Sequence, residues 1–316
     1  MKHIVDKNYF PGFVRKSITF SIDDGNIEND RKFIDIVRPS GIFGTFNLCA
    51  PTSLSPEEYR EMYSGFEIAN HVKLHPELFD PGVDYKFSSE PFNKEKARCD
   101  TLYPHETEKG VFYINESYFG KQNIRWFRIC DRDTYIRLLL ECHAELEAVF
   151  GEGSVRSFVW PFGRQKDYEP IISYIKNETD YYGARDAGRP LEDFSLPKNR
   201  MNWIYTANDK DLLSKMEAYE ALPDDGELKF FCFGVHSIDY ERAGRWGDLL
   251  AFAERYGNRR EDFYYATVGE IFDYEDAVNK LSVSDTEIKN PSSVPVYITL
   301  DGEPIIIAAE STVKLM

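Results

Sequence analysis

The stretch Ser17-Ile18-Thr19-Phe20-Ser21-Ile22-Asp23-Asp24-Gly25 decides how the rest of the chain is read. It has the pattern of a buried strand that runs out into two adjacent carboxylates and a glycine. Side chains alternate between faces along a strand, so Asp23 and Asp24 point in different directions. One of them can hold a metal while the other works beside it. Gly25 lets the backbone turn sharply away. A pair of aspartates after an apolar run also fits a simple turn, because Asp favours turns. What lies further along the chain separates the two readings.

Downstream, strand and helix patterns alternate. A helix is expected from Asn29 to Val37, a strand from Ile42 to Leu48, and a helix starting at the capping box Ser55-Pro56-Glu57-Glu58. A short strand, Phe66 to Ala69, leads into Asn70-His71-Val72-Lys73-Leu74-His75-Pro76. Residues 77–130 break the rhythm, rich in Tyr, Phe, Pro and charge, with room for a hairpin between Lys109 and Arg128. They read as an insertion over the top of the domain. Asp131 to Phe150 has the clearest helical spacing of apolar residues, and Arg156 to Trp160 then forms a strand broken by Pro161-Phe162-Gly163. A helix near Tyr168 to Lys176, a strand near Tyr181 to Ala184 and a strand candidate at Met201 to Tyr205 follow. Asn208 is expected to cap a helix to Leu222, and Leu228 to Val235 is an apolar strand ending at His236. Trp246 to Tyr256 reads as a helix, Phe263 to Ala266 as a last strand, and Thr267-Val268-Gly269-Glu270 as a second capping box.

Strands that are apolar on both faces and alternate with helices predict an α/β fold, a parallel sheet closed or partly closed into a barrel. Residues 1–280 would make the barrel, and residues 281–316 a small β appendage with a hairpin on Asp301-Gly302. In such barrels the chemistry sits at the C-terminal ends of the strands. Asp23, Asp24, His71, His75, Pro161 to Gly163 and His236 all follow a strand.

Composition narrows the function. The chain of 316 residues carries a formal charge of −16, which disfavours nucleic acid and anionic membrane surfaces as partners. The cysteines stand at 49, 99, 130, 142 and 232, with no CxxC pair, and read as reduced thiols. No stretch approaches a membrane span and no apolar leader is visible, so a soluble cytoplasmic protein is expected. The insertion or the C-terminal appendage offers a surface for oligomerisation.

A catalytic divalent metal wants imidazoles and a carboxylate, with one position left open. His71 and His75 are four apart, a spacing that puts two imidazoles on one side of a helical turn. The zincin motif needs Glu directly after the first His, and Val72 stands there, so the base must come from elsewhere. Asp24 can complete a two-His, one-Asp set and leave Asp23 as that base.

These residues, taken in order, resemble the polysaccharide deacetylases, the NodB-like carbohydrate esterases. Thr19 to Gly25 is similar to their strand ending in two aspartates and a glycine. His71 to Pro76 is similar to their paired-histidine motif, Pro161-Phe162-Gly163 to their third motif, and Gly234-Val235-His236 to their last. The resemblance spans residues 15–275. It implies a distorted (β/α) barrel and a divalent metal, most commonly zinc, with cobalt, nickel or manganese as substitutes. It implies that Asp24, His71 and His75 hold the metal, that Asp23 is the general base and that His236 is the general acid. The backbone N–H of Phe162 would help to hold the oxyanion. The implied activity is hydrolytic removal of acetyl groups from an acetylated sugar or oligosaccharide.

One departure matters. Many members carry an arginine, orienting the catalytic aspartate, where Val159 stands here. Arg200 is the sequence candidate for that role, and Trp160 and Trp203 are candidates for stacking on sugar rings. Two other functions remain open: an inactive carbohydrate-binding protein on the same fold, and a metal-dependent amidohydrolase acting on a small non-sugar amide.

Overall fold

The computed structural model describes residues 3–89, 104–119, 126–163, 168–188 and 190–315. Cys99 and parts of the expected insertion, 90–103 and 120–125, lie outside the described residues.

The centre is a parallel sheet. Its strands are β1 (Lys16–Asp24), β2 (Thr45–Leu48), β3 (Glu67–Asn70), β4 (Val155–Val159), β5 (Gly183–Arg185), β6 (Lys229–His236) and β7 (Phe263–Tyr265). They run side by side in the order β5-β4-β3-β2-β1-β6, with β7 also on β1. β6 occupies one edge of β1 along nearly its whole length, from Lys16 to Asp23. The other edge is divided: β7 pairs with Lys16 to Ile18 and β2 with Ser21 to Asp24. The expected strand at Met201 to Tyr205 does not form. Instead this irregular segment makes isolated bridges, Arg185 to Trp203 and Ala207 to Phe233, and so spans the gap between β5 and β6. The result is a distorted (β/α) barrel whose closing seam is loop rather than ladder.

Helices cover the outside: α1 (Ile27–Val37), α2 (Pro56–Met62), α3 (Arg132–Phe150), α4 (Glu169–Glu178), α5 (Leu212–Glu220), α6 (Ser237–Ala243), α7 (Trp246–Tyr256) and α8 (Val268–Lys280). Both expected capping boxes form, Ser55 with Glu58 and Thr267 with Glu270. Each contributes about 1 kcal/mol by satisfying end N–H groups. α5 starts later than expected, with Asp211 rather than Asn208 at its N-cap position.

The sheet is not apolar on both faces, and this corrects the sequence reading. Ile18, Phe20 and Ile22 of β1 pack outward into the main core with Phe33, Ile34 and Val37 of α1. The alternate residues Ser17, Thr19, Ser21 and Asp23 are buried but polar. Thr45 and Asn47 of β2 continue this small polar face. A narrow barrel interior has room for short side chains, and Asp23 stands at the head of that row.

Two further layers frame the barrel. Pro76–Leu78, His105–Glu108, Val111–Asn115 and Trp126–Cys130 build a four-stranded sheet from the insertion, including the expected antiparallel pairing of Val111–Asn115 with Trp126–Cys130. At the other end of the sequence, the expected hairpin forms between Val296–Leu300 and Glu303–Ile307. Its outer partner is Val5–Tyr9, so the N-terminal strand belongs to the C-terminal unit. A second small sheet joins Ser282–Val283, Glu287–Asn290 and Ser311–Lys314. Ile288, Val296, Ile298 and Ile307 share one core with Ile271, Phe272 and Ala277 of α8.

Candidate active site

The register of the parallel strands assembles the site. His236 lies directly beside Asp23, and Asn47 lies on its other side. Leu48 pairs with Asn70, so His71 emerges one residue beyond β3, and its N–H donates to the Leu48 carbonyl at 3.0 Å. Arg185 ends β5 opposite Val159. Chemistry-bearing side chains thus leave several adjacent strands at one rim of the barrel.

Asp24, His71 and His75 come together, with ligand atoms within 4.8 Å of one another. Asp24 Oδ1 lies 3.4 Å from His71 Nε2 and 3.5 Å from His75 Nε2. The histidine pair is not on a helical turn. Val72, Leu74 and His75 have φ values of 56°, 67° and 50°, a left-handed turn closed by His75 N–H donating to the Val72 carbonyl at 3.0 Å. Asp24 is also left-handed, at φ 76°. Such backbone is costly for residues with a Cβ, and of order 1–3 kcal/mol per residue is held in it by the surrounding structure.

His71 is buried and its Nδ1 sits 2.9 Å from the Val159 carbonyl, which fixes Nδ1 as the protonated nitrogen. Nε2 then carries the lone pair, is buried, and has no hydrogen-bond partner. A buried unpaired nitrogen is unfavourable unless something else occupies it. Here it faces a carboxylate and a second imidazole. Burial, followed by the neighbouring His71, pushes His75 down to about 3, so it is neutral at pH 7. Asp24 is held below the ordinary carboxylate range: burial opposes its charge, but the adjoining imidazoles of His71, His236 and His75 outweigh it. Two imidazole nitrogens and one ionised carboxylate form the donor set of a divalent metal such as zinc, and the residues present fit that group.

Asp23 is almost wholly buried and accepts hydrogen bonds on Oδ1 from Asn47 Nδ2 at 2.7 Å and from the Arg185 guanidinium. Burial works against its charge; Arg185, then His71 and His236, reverse that effect and bring its pKa below the ordinary value. The arginine that pairs with Asp23 is therefore Arg185, which sequence reading missed. Arg200 is elsewhere: its guanidinium binds Asp276 at 2.8 Å, Glu275 at 2.7 Å and the Phe272 carbonyl, all on α8.

His236 donates from Nδ1 to Asp239 Oδ2 at 2.8 Å, leaving Nε2 at 3.6 Å from Asp24 Oδ2. Burial alone would lower its pKa, but the Asp239 hydrogen bond and the charges of Asp23 and Asp24 raise it to about 9. Asp239, three residues on, is a second residue that sequence reading missed. Asp30 on α1 anchors the same segment from below. It accepts from Ser237 Oγ at 2.5 Å and Tyr63 Oη at 2.7 Å, and burial raises it to about 7.

Neither stacking candidate presents an exposed ring. Trp160 borders the cleft but is fully buried, its ring against Tyr168 at 4.1 Å and Phe158 at 4.5 Å. Trp203 packs between Phe230 and Phe272 in the second core. The other rings along the cleft include Phe162, Tyr205 and, from the insertion, Tyr113 and Trp126. Phe162 is left-handed at φ 58° and its ring lies 4.4 Å from that of His75. Gly234 leaves space for Tyr205, since a Cβ there would stand 2.6 Å from its ring.

Because His236 donates its Nδ1 proton to Asp239, an Asp239→Asn variant should lose its hold on the imidazolium. If His236 acts as an acid, the alkaline limb of a pH–rate profile should move down by about one pH unit or more. An unmoved limb would remove Asp239 from the role.

No protein-family model and no curated protein matches the chain. Three solved structures are similar in overall shape. One is a carbohydrate esterase family 4 esterase from Streptococcus mutans, 11% identical, with a TM-score of 0.44, covering 80% of this chain and 86% of that one. The second is the esterase domain of a multidomain xylanase from the hindgut metagenome of Trinervitermes trinervoides, 12% identical, with a TM-score of 0.43, covering 84% and 92%. The third is a polysaccharide deacetylase from Bacillus cereus, 11% identical, with a TM-score of 0.42, covering 80% and 92%. At likenesses this distant, what the cleft does follows from its own residues.

Proposed function

We propose that the protein is a metal-dependent hydrolase that removes acetyl groups from an acetylated sugar or oligosaccharide. The observation that carries this reading is the pairing of a metal donor set with two further, separately supported groups. Asp24, His71 and His75 suffice to hold an ion. Asp23 on Arg185 and His236 on Asp239 are not needed for holding it, and a protein that only bound sugar would have no use for them.

The donor set suits zinc best, with cobalt, nickel or manganese as substitutes. When bound, the divalent ion polarises the acetyl carbonyl and brings the pKa of a water down toward neutrality, which a base as weak as ionised Asp23 requires. Asp23, held ionised and oriented by Arg185 and Asn47, takes the proton of the attacking water. His236, with Nδ1 fixed on Asp239, gives its Nε2 proton to the leaving amine or alkoxide. The backbone N–H of Phe162, next to His75, would face the oxyanion of the tetrahedral intermediate. One such dipole is worth about 3 kcal/mol of barrier.

The test combines metal analysis with acetate release from a panel of N- and O-acetylated sugars. The parent protein should hold about one divalent ion per chain and release acetate, and His71→Ala should lose both together. Metal-free protein that releases no acetate across the panel would leave only the carbohydrate-binding alternative.

Among the described residues no helix is long and apolar enough to cross a membrane. Cys49, Cys130, Cys142 and Cys232 are free thiols. The free thiols support a reducing, cytoplasmic setting, where imported oligosaccharides or small acetylated metabolites would be the substrates.

A further inference from the structure

Resting on the deacetylase reading, we propose that the cleft selects an acidic glycan, one that carries a carboxylate or phosphate on or next to the acetylated sugar, and that Arg128 and Lys210 read that charge. The chain as a whole is strongly acidic, at −16. The cleft is a local exception. Four aspartates line it, and each has its own partner. Asp23 has Arg185, Asp24 has His71 and His75, Asp239 has His236, and Asp209 has Arg245 at 3.1 Å.

The cations on the same walls are not balanced in this way. Arg242 reaches Asp239 only at 3.8 Å. Arg128 donates to the neutral Leu74 carbonyl at 3.2 Å, and among the described residues neither it nor Lys210 is ion-paired. Lys210 is exposed, whereas Arg128 is half-buried. A partly desolvated guanidinium without a counter-charge is unfavourable on its own and gains most from an anion that arrives with the ligand.

The surroundings of Arg128 say what kind of ligand that is. Trp126 and Arg128 are two apart on one strand and therefore share a face, and Tyr113 is the register partner of Arg128. The Tyr113 and Trp126 rings stack at 5.1 Å and 16°, and the Arg128 guanidinium lies 5.9 Å from the Tyr113 ring centre. This gives an aromatic platform with a cation at its end, suited to a sugar ring followed by an oxyanion. Guanidinium binds planar carboxylate and phosphate with two hydrogen bonds at once. The cleft measures about 1000 Å³, at the upper end for small-ligand pockets, so it accommodates more than one sugar unit.

Calorimetry on the Asp23→Asn protein, in which turnover does not interfere, tests this with three probes. They are a hyaluronan tetrasaccharide (carboxylates), N-acetylglucosamine 1-phosphate (phosphate) and the fully N-acetylated form of chitotetraose (neutral). The expected result is binding of one or both anionic probes about tenfold tighter than chitotetraose, as hydrogen bonds to charged groups allow. The gap should narrow as salt is added. Lys210→Glu and Arg128→Gln should each erase the gap and leave chitotetraose affinity unchanged; the Gln amide can still donate to the Leu74 carbonyl. Whichever anionic probe holds the advantage identifies the charged group. Equal affinity for all three, no binding of any, or equal losses for neutral and anionic probes in the variants would overturn the proposal. Acetate release by the parent protein is measured in parallel. Its absence, with the charge preference intact, would sink the deacetylase reading and leave the anion site standing.

Discussion

An Asp23→Asn variant should still bind its divalent ion and release acetate about a hundredfold to ten-thousandfold more slowly. Asp23 is not among the three ligands, so metal content should match the parent. Its carboxylate is the buried oxygen pair next to the cleft that is fixed from two sides, by Asn47 and Arg185. An asparagine keeps an oxygen for both donors but cannot accept the water proton. Metal analysis and acetate release on the same preparation check this. Full activity would require another base, and loss of metal would mean that Asp23 belongs to the donor set.

The second large effect concerns stability. Arg185 is 1% exposed and Asp23 is 6% exposed, so the two form a buried ion pair. Removing one partner strands the other charge, and Arg185→Met should cost about 3–5 kcal/mol in a denaturant titration. The double variant Asp23→Asn, Arg185→Met strands neither, so its loss should fall well short of the sum of the single losses. Additive losses would show that the pair is not coupled. The pH dependence has a definite sign. Asp23 is depressed below 3.8, so in the parent its contribution is fully present above that value and fades as pH falls through the lower folded value. Without Arg185, only His71, His236 and the Asn47 hydrogen bond oppose burial, so the folded pKa rises. The stability that ionised Asp23 contributes shrinks accordingly, and the acid limb of activity moves upward.

The gathering of candidate site residues was legible because apolar runs end near Asp23, His71 and His236, and residues at strand ends share a rim whatever the loops do. Arg185 was not. It ends a three-residue strand, too short to show a period, and meets Asp23 across 162 positions through the register of neighbouring strands. Arg200 misled because its acidic partners lie on α8, far along the sequence. Asp239 did leave a signal, since a residue three after His236 at the start of a helix can turn back to it. The helical reading of His71 to His75 failed for a non-local reason. Val72 and Leu74 are ordinary L-residues whose left-handed backbone is imposed by tertiary packing, not by propensity.

The strand Val5–Tyr9 carries a consequence for synthesis. It pairs with Val296–Leu300, and just before it the Ile4 N–H donates to Asp301 across 297 positions. The earlier of the two segments must therefore wait until the later one has been made. The barrel between them can form earlier, but the seam that joins the two must close late and across a very long loop. Until then, Val5–Tyr9 lacks its neighbour, and a nascent chain would expose a sheet edge open to wrong pairing.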